Sequence, residues 1–396
     1  MDHTEIKTLT EEAQATSDRV HELLSSDRGD GFRRGSGHSV EALDAFMEII
    51  ENAAQGSRKA LFALAEASQL SDFPLLFGDT IDRATMAYYQ AWIPQWQKYC
   101  AARQPLRDFR QAAQHNVFGM GAVLDPLGER AEYPERHPSE EEINISVGKF
   151  GAKWGVSFEA LINDDLGLLA DLPQNLAMAA RRTEAVKVAG QYVGSAGPNT
   201  SLYTSGNKNI INTTNGATTN NPVLSTTSLG EALFIMSKQV DVDGHPILID
   251  GATLVVPPAL EVTANNILNA VQINVATGGG AYNAKDQLVV NNWLAGRLSV
   301  VVDPYIPFVA TSNQNTSWFV FANPIGGNRP AIQYRGLMGH ESPELFVKTP
   351  NASRVGGGAA GAEDFDYDMV WYKIRHIFGV GQVDGKLTVM SNGSGS

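Results

Sequence analysis

Asn163-Asp164-Asp165-Leu166-Gly167-Leu168-Leu169-Ala170-Asp171-Leu172-Pro173-Gln174-Asn175-Leu176, with its continuation to Val193, decides the fold. Leu169, Leu172, Leu176, Ala179, Thr183, Val186, Gly190 and Val193 recur at three- and four-residue steps, the spacing of one helix face. Asn163, Asp164 and Asp165 each offer an N-cap, and Gly194-Ser195-Ala196-Gly197-Pro198 stops the helix. Pro173 places the start of the helix proper near Leu172, because a proline is tolerated only in a first turn. At 1.5 Å per residue the segment spans roughly 30–40 Å, a strut rather than a loop. Leu172, Leu176, Ala179 and Thr183 are expected to form its buried stripe, with Arg181 and Arg182 on the polar side.

Immediately before the strut lies a segment that makes a poor core. Residues 129–142 are dense in charge and carry Pro134 and Pro138. Ile143, Ile145 and Val147 then alternate with Asn144, Ser146 and Gly148, a strand pattern. Lys149 to Phe158 continues extended, with Trp154, Val156 and Phe158 on one side. A charged, strand-flanked excursion of this kind predicts an arm that leaves its own domain. Glu135, Arg136, Glu140, Glu141, Lys149 and Trp154 are its candidate contacts with another subunit. Glu140, Glu141 and Glu142 are consecutive, so on a strand they alternate faces and make no acid–base pair.

Further out, residues 1–68 predict an acidic helical front: Val40, Leu43, Phe46 and Ile50 repeat at helical spacing. Tyr88, Tyr89, Trp92 and Trp96 follow in a helix-like stretch that Pro94 ends or kinks. After the strut, residues 198–225 are loop-like, rich in Asn, Thr, Ser and Gly. Helices are expected over 229–240 and 260–271, and strands over 252–256, 298–302 and 318–321. A long extended stretch over 365–383 closes an α+β body.

The composition excludes several classes of function. The 396 residues carry 43 acidic and 30 basic side chains, a formal net charge of −13, which rules out a general polyanion-wrapping face. One cysteine, Cys100, allows neither an internal disulfide nor a thiolate metal cluster. No apolar run approaches the roughly 20 residues of a membrane helix, and Met1-Asp2-His3-Thr4-Glu5 does not open a secretory signal. A soluble protein made in a cytoplasm is expected. His21-Glu22 and His340-Glu341 lack the second histidine of a zinc-protease helix, having Ser25 and Glu344 in its place. Asp241-Val242-Asp243-Gly244-His245 lacks a calcium loop's ligand series and suits a turn. No phosphate-cradling loop or nucleophile elbow is present. No catalytic residue, cofactor or metal is expected.

Ser71-Asp72-Phe73-Pro74, Ile162-Asn163-Asp164-Asp165-Leu166-Gly167, Leu254-Val255-Val256-Pro257-Pro258-Ala259-Leu260-Glu261 and Arg375-His376-Ile377-Phe378-Gly379-Val380 resemble strings of the major capsid proteins of tailed bacteriophages with the HK97 fold, the actinobacterial and Mu-like group in particular. The resemblance covers roughly residues 69–390. It implies an N-terminal helical extension over 1–68, an N-arm and the start of a peripheral domain over 69–124, and an extended loop over 125–160. It further implies a peripheral domain with a spine helix over 161–227, an axial domain over 228–345, and return strands with a tail over 346–396. The implied function is a virion shell of hexamers and pentamers, assembled in the bacterial cytoplasm around double-stranded DNA without sequence-specific contacts. Portal, scaffold and decoration proteins are the implied partners, and no membrane is. Some members join a loop lysine to a neighbour's asparagine; Lys149 or Lys153 would stand there, and non-covalent closure is expected instead. An encapsulin-like compartment shell, a metal-assisted hydrolase using Asp241, Asp243 and His245, and a tail or adhesion subunit are the alternatives.

Overall fold

A computed structural model describes residues 73–118, 139–157, 166–241, 244–276, 287–324, 329–348 and 369–395. The expected front helices, the loop tip with Glu135 and Arg136, and the glycine runs at 278–280 and 356–358 lie outside the described residues. In chain order the elements begin α1 (Phe73–Ala91), β1 (Ala101–Ala102), β2 (Ala112–Phe118), β3 (Ser139–Ile145), β4 (Gly148–Ser157) and α2 (Leu166–Tyr192). They continue β5 (Val193–Gly194), β6 (Gly197–Pro198), α3 (Thr226–Ser237), β7 (Ile249–Val256), α4 (Glu261–Asn269), β8 (Gln272–Ala276), β9 (Gln287–Asn291) and β10 (Leu298–Val302). After a short helix, α5 (Ile306–Val309), come β11 (Trp318–Pro324), β12 (Ile332–Gly336), β13 (Glu344–Val347), β14 (Met369–Gln382) and β15 (Thr388–Ser391).

The chain divides into two compact units. The first takes residues up to Pro94, Gly148–Thr183 and Gly336–Phe378; the second takes Gln95–Val147, Glu184–Arg335 and Gly379 onward. In the first unit, residues 369–378 of β14 pair antiparallel with the whole of β4 and, on the other side, with β13. Tyr372, Ile374, His376 and Phe378 alternate along β14 and are all buried, so one face of this sheet is covered. Helix α1 buries Ile81, Ala84, Ala87 and Tyr89, and the Tyr89 ring meets His376 edge-on at 5.8 Å. The Leu345 backbone N–H donates to Asp82 Oδ1 at 3.2 Å, tying β13 to α1.

Helix α2 starts at Leu166 and runs through Pro173, not from Leu172 as expected. Its buried stripe is also rotated from the expected one. Leu176 is buried, Leu172 and Thr183 are half-buried, and Ala179 is exposed. Ala177 and Ala180 pack on Tyr89 instead. Arg181, expected on the polar side, stacks its guanidinium 3.6 Å from the centre of the Tyr89 ring and donates to the Tyr89 carbonyl at 2.7 Å. Two alanines let the helix approach close enough for that contact, which sets its rotation. Thr183 Oγ1 turns back on its own helix, donating to the Ala179 carbonyl at 2.7 Å.

In the second unit β7 is central. It pairs parallel with β10 and antiparallel with β11, which pairs with β15. Leu254, Val255 and Val256 are wholly buried, as a strand covered on both faces requires. Leu254, Val256, Trp318 and Val320 pack with Leu229, Ala232, Ile235 and Met236 of α3 and with Ala264 and Leu268 of α4. Val255, Val301, Phe319 and Phe321 pack with Val188, Ala189 and Tyr192 from the end of α2. A reciprocal Ser225–Ser228 capping box starts α3. Gly379 is obligatory: a Cβ there would stand 2.1 Å from the Ser146 carbonyl oxygen.

A polar knot sits inside this second core. Tyr99 and Tyr192 both donate to Asp303 Oδ2, at 2.7 and 2.6 Å. The Tyr305 backbone N–H donates to Asp303 Oδ1 at 2.8 Å. Burial, and then the Asp303 carboxylate, push both phenols well above their ordinary value of 10.0. Burial raises Tyr203 here, and Tyr372 in the first unit, in the same direction. In the unfolded chain these tyrosines lose their protons near pH 10, whereas the folded protein retains them. Above pH 10 the unfolded state therefore binds fewer protons, and stability falls as pH rises. Below pH 10 these groups cost nothing. Urea midpoints should decline from about pH 10 upward, with tyrosinate absorbance of the four rings appearing only on unfolding. Free titration of all 11 tyrosines near pH 10 in a protein with native circular dichroism would contradict this.

Candidate intersubunit surfaces

Among the described residues no three His, Cys, Asp or Glu side chains converge as metal ligands. Residues 242–243, Asp243 among them, lie outside the described residues; on either side of them the Asp241 N–H donates to the His245 carbonyl at 2.8 Å, and Gly244 takes a φ of +82°. That is a glycine-dependent turn. His340 Nδ1 lies within hydrogen-bond distance of Glu344 Oε1 at 2.5 Å, and Arg375 pairs with Glu344 Oε2 at 2.5 Å. Cys100 is buried within the second unit's core, and burial raises its thiol pKa, which disfavours the thiolate. Among the described helices none is long and apolar enough to cross a membrane.

What the structure offers instead is surface. β2 and β3 pair antiparallel over seven positions, from Ala112↔Ile145 to Phe118↔Ser139. This ribbon carries Glu140 and Glu141 opposite Val117 and Asn116. At its base Ile143 and Ile145 cluster with Val383, whereas Glu142, Asn144 and Ser146 are exposed, the alternation expected of that segment. Arg335 donates to Gln114 Oε1 at 2.5 Å and holds the base of β2.

The remaining predicted contacts lie on β4. Lys149 is exposed and pairs across to Ile377. Trp154 is half-buried and stacks on Tyr372, with ring centres 6.2 Å apart. Thus Glu140 and Glu141 share one element in the second unit, and Lys149 and Trp154 share another in the first. Sequence reading missed the neighbours that β14 sets beside β4, namely Lys373 and Trp371. Their joint position depends on a pairing between segments more than 200 residues apart.

A family model described as phage capsid protein matches residues 140–388, well over half of the chain. The chain belongs to the phage capsid protein family and is a shell-forming head protein. No curated protein matches it. Solved structures similar to it include one from Gordonia phage Cozz, 11% identical over 75% of this chain and 85% of that one, with a TM-score of 0.44. The head structure of Helicobacter pylori bacteriophage KHP40 is 6% identical over 76% and 92%, with a TM-score of 0.44. The Cyanophage Pam1 capsid asymmetric unit is 9% identical over 76% and 93%, with a TM-score of 0.42.

Proposed function

We propose that this chain is the major capsid protein of a tailed bacteriophage and has no catalytic activity. Its hexamers and pentamers close into an icosahedral shell around the double-stranded DNA genome, in the bacterial cytoplasm, with portal, scaffold and decoration proteins as further partners. The observation that carries this is the family match over 140–388, which runs from β3 through the long helix to β15. In this reading residues 125–160 are the extended loop, 161–227 carry the spine helix, 228–345 build the axial domain, and the strands after 346 return to the peripheral domain. The net charge of −13 supports it, since a wall that repels DNA leaves a packed genome mobile.

A compartment shell enclosing enzymes is the second possibility, because the same element order would serve it. Particles captured through a tag on this chain, treated with nuclease and then opened, should release double-stranded DNA of uniform length. Release of a protein cargo without DNA would establish the compartment instead.

A further inference from the structure

Two arginines of the second unit stand side by side on neighbouring parallel strands. β1 pairs with β12 at Ala101↔Gln333 and Ala102↔Tyr334, and the Arg103 backbone N–H extends the ladder by donating to the Tyr334 carbonyl at 3.0 Å. The register therefore sets Arg103 beside Arg335, with backbones about 4.8 Å apart. Both side chains are half-buried. Burial, and then the charge of Arg103, lower the Arg335 pKa from its ordinary value. A guanidinium nevertheless stays protonated at neutral pH, so the fold holds two cations together in a partly dry place.

Neutral groups hold the Arg335 fork. It donates to Gln114 Oε1 at 2.5 Å. Gln333, wholly buried, accepts from Arg335 Nη2 and Nε at 2.9 and 2.6 Å and donates to the same Gln114 oxygen at 3.0 Å. Among the described residues no carboxylate lies within ion-pair distance of Arg335, and its Nη1 has no hydrogen-bond partner. Two amides thus fix the orientation of this cation without neutralising it. The segment after Arg103 adds to the charge. Arg107 and Arg110 are exposed, and the carboxylate between them, Asp108, accepts the Arg110 backbone N–H at 3.1 Å. Phe109, beside them, is 44% exposed.

We propose that Arg103 and Arg335 form a binding site for a phosphate group. A tetrahedral phosphate has enough oxygens to accept from two guanidinium forks at once, whereas one fork satisfies a carboxylate. The group comes either from free inorganic phosphate or from the backbone of a nucleic-acid strand. Arg107, Arg110 and Phe109 favour the strand, because they continue the positive charge along the chain and offer a ring to a base. Such a site needs no basic face: it fastens one phosphate per copy while the net charge of −13 repels the rest. It goes beyond the shell function and does not depend on it.

The test uses the full-length chain at constant ionic strength, with inorganic phosphate and a short fluorescent double-stranded DNA as probes. Calorimetry reads the first, fluorescence anisotropy the second, and circular dichroism checks folding. The parent should bind phosphate saturably. Arg103→Lys with Arg335→Lys keeps both charges but removes the forks, and should weaken that binding about tenfold or more. Arg107→Gln with Arg110→Gln should leave phosphate binding unchanged and reduce the salt dependence of duplex binding. Phosphate that binds and displaces the duplex supports the site with the nucleic-acid backbone as its source. Phosphate that binds where the duplex does not supports it with the free ion as its source. A reading on the parent alone keeps the site testable if the lysine pair does not fold. Phosphate should shield Arg103 and Arg335 from phenylglyoxal, as located by peptide mass mapping. No saturable phosphate binding by the parent, no shielding of these two arginines, or binding that the lysine pair leaves unchanged overturns the site, whether or not the chain forms shells.

Discussion

Asp303→Ala should unfold the second unit, or bring it close to unfolding. Its Oδ2 accepts from both Tyr99 and Tyr192, and its Oδ1 from the Tyr305 backbone, all within a closed core. The two hydroxyls are 3.4 Å apart, so without the carboxylate they have at best a weak bond to each other. The two buried hydroxyls left without an acceptor cost about 1–3 kcal/mol each, so together the loss should be roughly 2–6 kcal/mol. Domain stabilities are about 5–15 kcal/mol, so a loss of that size is a large part of the whole. Asp303→Asn retains one carbonyl oxygen and should lose less. Urea unfolding of the unassembled chain measures both variants. An Asp303→Ala midpoint equal to that of the parent would show that the knot does not hold the core.

Leu176→Glu should abolish soluble expression, whereas Ala179→Glu and Arg182→Glu should leave the fold intact. Leu176 is 8% exposed, so a glutamate there buries an unpaired carboxylate at a cost of roughly 3–5 kcal/mol. Ala179 and Arg182 face solvent on the same helix. The triplet separates the observed rotation of α2 from the one its periodicity suggests. If Ala179→Glu is as damaging as Leu176→Glu, the buried stripe passes through Ala179. Soluble yield and far-ultraviolet circular dichroism of the three variants decide it.

That rotation shows where sequence pattern runs out. From Leu172 to Ala180 the helix has apolar side chains on every side, so leucine spacing alone cannot pick the buried face. The choice is made by Tyr89, roughly ninety residues upstream, through Ala177, Ala180 and Arg181. Glu184, fully buried one turn further on, could not be foreseen either, since a glutamate ordinarily marks a solvated face. By contrast β10 was legible to the residue, and the helices α3 and α4 to within a few positions. Within Leu298–Val302 the run Val300–Val302 is β-branched and lies between turns, the composition of a strand. β12 and β13 were missed because they are short and polar, with Gln333, Arg335 and Glu344 inside them. The pairing of Lys153 with Lys373 escaped notice for a different reason. Both lysines were visible, but only the register of β4 on β14 makes them neighbours.

The central claim is that many copies of this chain close into a shell, and electron microscopy of the purified full-length protein tests it most directly. The expected result is closed particles of uniform diameter, far larger than the 42.7 kDa chain, whose averaged images carry icosahedral symmetry. Monomers or small oligomers at every protein and salt concentration, or open tubes without five-fold vertices, would contradict it.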